Sequence, residues 1–169
     1  MKKYGLKLIV FCSTLLFLTS VSFAEEAAVL ISSKGSVLIS ENGKDDWVKA
    51  GSGISIQEGW YIKVGKNSEA ARMLKDRSQI RLKDNSIICL KKSGSAPGEK
   101  KQKKGLLSLF KGGFWMRNKR KVIKPDINTA SINMSIRGTE LKVIVTPEGE
   151  TRVTALEGEI LCENKFSST

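Results

Sequence analysis

The chain has 169 residues, a formal net charge of +12 and no histidine. Its length suits one domain with its own core, and the missing histidine removes the commonest general base and metal ligand. No Cys-x-x-Cys pair, phosphate-cradling glycine loop or nucleophile elbow occurs, so no catalytic residue, metal or cofactor is expected.

The N-terminus reads as an export signal. Lys2, Lys3 and Lys7 precede an apolar run from Leu8 to Leu18, and Ser22-Phe23-Ala24 ends the segment with small residues where a signal peptidase reads. A spanning helix needs about 20 apolar residues, whereas Ser13, Thr14, Thr19, Ser20 and Ser22 interrupt this one. Cys12 lies inside the run, not at its end, which argues against a lipid anchor. Residues 1–24 are therefore expected to be removed, leaving a domain over 25–169 that is periplasmic or secreted, with no stable transmembrane span. An uncleaved anchor holding a regulatory or structural subunit at the membrane is the alternative.

From Ala28 onward, short runs rich in β-branched residues are separated by turn residues. Ala28–Ser32, Ser36–Ile39, Asp46–Lys49, Ile54–Ile56, Trp60–Val64, Glu69–Leu74, Gln79–Leu82 and Ile87–Leu90 follow one another in this way. Alternation in Gln79-Ile80-Arg81-Leu82 places Ile80 and Leu82 on one face, as a half-buried strand requires. A basic, apolar-poor insertion over 92–104 breaks the rhythm. Strands are then predicted over Leu106–Phe110, Gly112–Met116, Ile127–Ile132, Ser135–Ile136, Glu140–Thr146, Thr151–Leu156 and Glu159–Cys162, with Pro147–Glu150 as a hairpin turn. The expectation is an all-β fold, a single antiparallel sandwich or barrel-like domain of many short strands.

Charge is concentrated in one place. Between Lys91 and Lys124 lie 12 basic residues and one acid, Glu99, while the rest of the chain after residue 24 carries 14 basic and 16 acidic residues. The candidate binding residues are Lys100, Lys101, Lys103, Lys104, Arg117, Lys119, Arg120 and Lys121. Export makes nucleic acid a poor partner. An envelope protein or a polyanion such as lipopolysaccharide or anionic lipid is the physical expectation. Leu106 to Lys121 mixes Phe110, Phe114 and Trp115 with cations. This pattern suits a core strand with a solvated edge better than an interfacial helix, which Gly112-Gly113 would break.

Cys89 and Cys162 remain after the signal segment. An oxidising compartment permits a bridge between them, and two free thiols on neighbouring strands are the equal alternative.

The C-terminal third carries the most specific pattern. Arg137-Gly138-Thr139-Glu-Leu-Lys-Val143, a hairpin, then Thr151-Arg-Val-Thr-Ala-Leu-Glu157-Gly158-Glu-Ile160 resembles the signature of the FecR domain family. Upstream, Lys34-Gly-Ser-Val37, Gly59-Trp-Tyr-Ile62, Ser68-Glu-Ala-Ala-Arg72 and Asp76-Arg-Ser-Gln-Ile-Arg-Leu82 agree with it, over about residues 28–163. Arg77 departs from the family pattern, which usually has glycine between that aspartate and serine. The Arg-Gly-Thr step is expected to be architectural: a strand corner in which Gly138 allows a close backbone approach, Thr139 begins a strand and Arg137 reaches the carboxylate of Glu157. The resemblance implies an envelope sensor module. The family's cytoplasmic segment has no counterpart in the seven residues before the apolar run, so only the extracytoplasmic part is expected here.

Overall fold

The alternation read in Gln79–Leu82 holds in the computed structural model, which describes residues 26–74, 77–91, 106–118 and 126–165. Ile80 and Leu82 are buried, Gln79 and Arg81 exposed. Twelve strands occupy the described residues, with no helix among them: β1 (Glu26–Lys34), β2 (Val37–Ser40), β3 (Val48–Lys49), β4 (Ser55–Gln57), β5 (Tyr61–Val64), β6 (Glu69–Leu74), β7 (Gln79–Leu82), β8 (Ile87–Lys91), β9 (Leu106–Arg117), β10 (Asp126–Asn128), β11 (Ile132–Val145) and β12 (Thr151–Asn164).

All twelve belong to one curled, half-barrel sheet. The order runs β3-β2-β5-β8-β9-β7-β6-β1-β4, with β10, β11 and β12 added through β9 and β11. Every ladder is antiparallel except that between β9 and β10, which is parallel. The inner face of the curl carries the core, including Leu30, Val37, Ile56, Ile62, Ile80, Ile88, Leu109, Phe114, Met116, Ile127, Met134 and Leu141. Each such side chain contributes about 1.5–3 kcal/mol on leaving water.

β9 holds the sheet together by changing neighbours halfway along. Its first half lies between β8 and β10, its second half between β7 and β11. The change falls at Gly112-Gly113. Gly112 has φ +80°, and a Cβ there would lie 2.5 Å from Ser86 Oγ, so a side chain is excluded by both conformation and space. Ser86, fully buried, donates its hydroxyl to Gly113 O and accepts the Gly113 N–H, both at 2.9 Å. Leu106–Phe110 and Gly112–Met116, expected as separate strands, are thus one bent strand.

The expected single strand over Ile127–Ile132 is in fact a reversal. Thr129 N–H donates to Ile132 O at 3.0 Å, and Ile132 N–H donates to Thr129 Oγ1 at 3.1 Å. The turn sends β11 back along β10, with Ile127 opposite Met134. Both β11 and β12 are continuous for 14 residues, where shorter pieces were expected. Thr146 N–H to Glu150 O, 2.9 Å, closes the predicted hairpin between them. The signal segment, residues 1–24, lies outside the described residues.

Candidate binding face

Residues paired across a ladder share a face of the sheet, and successive residues alternate. Phe114 and Met116 point into the core, so Trp115 and Arg117 must point outward from β9. Register then places Arg81 on one side of Trp115 and Lys142 on the other, with Thr154 beyond Lys142. The next row holds Gln79, Arg117 and Glu140, with Glu157 beyond. Lys83 at the end of β7 and Arg152 on β12 are exposed as well. The outer face across β7, β9, β11 and β12 sets Arg81, Lys83, Arg117, Lys142 and Arg152, with the carboxylates Glu140 and Glu157, around one indole.

Its geometry is ordered. The guanidinium carbons of Arg81 and Arg117 lie 5.4 and 5.2 Å from the Trp115 ring centroid, within cation–π reach. Trp115 donates its indole N–H to Glu140 Oε1 at 3.0 Å. Arg117 donates Nε–H to Glu140 Oε2 at 2.8 Å, and its Nη2 lies 2.7 Å from the same oxygen. The Arg117 hydrogen bond, joined by that from Trp115 and opposed by desolvation, holds the Glu140 carboxyl below its ordinary value. Glu140 thus fixes both the indole and one guanidinium, and among the described residues Arg81, Lys83 and Lys142 have no ion-pair partner, while Arg152 has a long contact with Glu150 at 3.6 Å.

Of the binding residues expected from sequence, Arg117 lies in this face. Lys100, Lys101, Lys103, Lys104, Lys119, Arg120 and Lys121 lie outside the described residues. Arg81, Trp115 and Lys142 were not anticipated. The signal for Trp115 was present in its parity, because Phe114 and Met116 inward force it outward.

The Arg-Gly-Thr step is a bulge inside one long strand, where a corner between two strands was expected. Gly138 has φ +56° and Gly158 φ +84°, and the β11–β12 register shifts between Arg137 and Glu140. A Cβ on Gly158 would lie 2.5 Å from Gly138 O and 3.0 Å from Thr139 Cα. Buried Thr139 donates its hydroxyl to Glu159 O at 3.1 Å. Arg137 does not meet Glu157: it sits opposite Glu159, while Glu157 sits opposite Glu140. Arg137 is exposed. The bulge moved the register, so Glu159, two residues on, is the residue opposite Arg137.

The cysteines are not bridged. Both are free, Cys89 buried and Cys162 exposed. Cys162 shares a row with Met134, Ile127, Leu107 and Leu90. Cys89 is the neighbour of Leu90 in β8, so it faces the opposite side of the sheet, beside Ser108 and Tyr61. Neither a bridge nor a buried pair on neighbouring strands is present. Burial raises both thiols above their ordinary pKa.

One further charge lies in the core. Arg72 on β6 is fully buried, and its Nε, Nη1 and Nη2 have no hydrogen-bond partner. Desolvation, offset slightly by Cys89, pushes its pKa down to about 9. Among the described residues no group of three or more cysteines or carboxylates could hold a metal ion.

An all-β module with an ordered cationic face and a bulged C-terminal hairpin is the class of protein that these features define. A family model described as FecR protein matches residues 61–161, and the chain belongs to the FecR family. Members of this family are typically associated with the cell envelope outside the cytoplasm, in signalling or regulatory modules. No curated protein and no solved structure matches the chain. Among the described residues no helix is long and apolar enough to cross a membrane.

Proposed function

We propose that the chain is a non-enzymatic extracytoplasmic binding module whose outer face contacts an anionic partner in the bacterial envelope. The observation that carries this reading is the Trp115 platform, with Arg81 and Arg117 over one indole and Lys142 beside it in register. Tryptophan and arginine are the side chains that most often carry binding energy. Here they sit where a rigid sheet holds them, with Glu140 orienting two of the three. The basic stretch between Lys91 and Lys124 includes Arg117 and adds charge of the same sign. The phosphate groups of anionic lipid or lipopolysaccharide are the chemistry that this face fits.

The test is binding to phosphatidylcholine vesicles with and without phosphatidylglycerol, and to lipopolysaccharide, over a range of salt. Binding should require the anionic component and weaken steeply as salt rises, since the screening length is about 8 Å at physiological ionic strength. Trp115→Ala and Arg81→Ala should each weaken it roughly tenfold, as hot-spot truncations do. Replacing Lys100, Lys101, Lys103 and Lys104 by serine should weaken it further without unfolding the domain. Equal binding to neutral and anionic surfaces would overturn the reading. Binding only to an acidic envelope protein would replace the lipid surface by that partner.

A further inference from the structure

β12 is the end of the sheet. Among the described residues it pairs with β11 alone, so 14 residues present one row of unpaired backbone donors and acceptors. Proteins ordinarily shorten, bend away or cover such an edge, because it is a template for another strand. β12 carries a bulge and the charges of Arg152, Glu157, Glu159 and Glu163, but it is long, and among the described residues no strand covers it. Leu156 and Leu161 are 51% and 64% exposed. On the inner face, Val153, Ala155, Ile160 and Cys162 continue the rows of Val143, Leu141, Ile136 and Met134, yet are less buried than those core residues.

We infer that this edge is the interface between two copies of the chain, with one β12 antiparallel to the other about a two-fold axis at Glu157–Gly158. The charge pattern selects both the occupant and the register. With the axis there, Arg152 of each copy lies opposite Glu163 of the other, and just beyond the strand ends Glu150 faces Lys165, whose ammonium also donates to Thr129 O. The same register sets Val153 against Cys162 and Ala155 against Ile160, each pair on the inner face, and Thr154 against Leu161 on the outer face. The faces match because Leu156 is an extra residue between the partners of Leu141 and Glu140, which inverts the alternation between the two halves of β12. Sliding by two residues in one direction brings Arg152 opposite Lys165. Sliding the other way brings Glu150 opposite Glu163. Like charges directly opposed are unfavourable in a ladder, and opposite charges favourable. The flanking pairs therefore select this self-pairing register over its neighbours, as an isologous interface requires, against the repulsion of Glu157 and Glu159 of the two copies near the axis.

Sedimentation equilibrium of the exported protein, read together with far-ultraviolet circular dichroism, tests this. The parent should dimerise. Arg152→Glu and Glu163→Arg should each weaken association about tenfold or more with an unchanged spectrum, and the double variant should recover it to within roughly threefold. A second arm uses Val153→Cys: mild oxidation should give a covalent dimer through Cys162 of the other copy, whereas the parent, with Cys162 opposite Val153, should give none. A parent that stays monomeric at high concentration overturns the inference. So does a dimer that ignores both charge reversals, because β12 is then not its interface.

Discussion

Ser86 and Gly113 exchange two hydrogen bonds through a single hydroxyl, at the point where β9 leaves β8 and joins β7. The hydroxyl serves the Gly113 N–H and shares the Gly113 carbonyl with the Lys83 N–H, which donates to it at 2.9 Å. Ser86→Ala leaves the buried Gly113 N–H without that partner, a loss of about 1–3 kcal/mol. Urea unfolding of this variant should show the midpoint falling, and an unchanged midpoint would remove the serine from the account of the bend.

Arg72 is expected to lower stability as it stands. An unpaired buried guanidinium carries a desolvation cost that methionine, of similar length, does not, so Arg72→Met should raise stability by about 1–4 kcal/mol at neutral pH. The pH dependence has a definite sign. The folded-state pKa is about 9, below the guanidinium's ordinary value, so between the two the unfolded chain binds more protons. Stability of the parent therefore rises with pH in that window. The advantage of the methionine variant should be full below pH 9 and shrink above it, which thermal melts at pH 7 and pH 10 would compare. A variant less stable than the parent would mean the guanidinium is supported.

Arg77 closes the β6–β7 hairpin in a left-handed conformation, φ +64°, with its N–H donating to Leu74 O at 2.9 Å. A residue with a Cβ gives up about 1–2 kcal/mol there, and glycine avoids most of it. Arg77→Gly should raise the melting temperature, and a lowered one would show that the arginine side chain compensates.

The two thiols should differ in access. Cys162 is exposed and Cys89 buried, so a maleimide should label Cys162 in the native protein and Cys89 only after denaturation, as peptide mapping would show. A non-reduced peptide containing both residues would contradict their placement on opposite faces.

Much of the fold was legible because period-two alternation is a local property. Ile80 and Leu82 could be set inward from four residues, and the hairpin at Pro147–Glu150 from its composition. The reversal at Thr129 was not, since Thr-Ala-Ser has no glycine or proline to mark it. The parallel pairing of β10 with β9 was equally hidden, because it is made across the chain, not along it. At the binding face, Arg117 was chosen for its charge, while Trp115 was assigned to the core as an aromatic in an apolar run. Parity, counted from Phe114, would have turned it outward. Arg72 shows the converse: its parity with Ala70 points inward, against everything its charge suggests.

The position of β9 also sets an order of events. β7 and β8 are consecutive in the chain and do not pair with each other, and β9 runs along both, its second half on β7 and its first half on β8. Until β9 is available, the first eight strands can form only two separate ladders, β3-β2-β5-β8 and β7-β6-β1-β4, each ending in an open edge. One strand laid along both edges closes them together, and its other side is the surface on which β10 and β11 dock. Leu106–Arg117 acts as a splint across two half-sheets, and before it arrives both open edges are available to wrong partners.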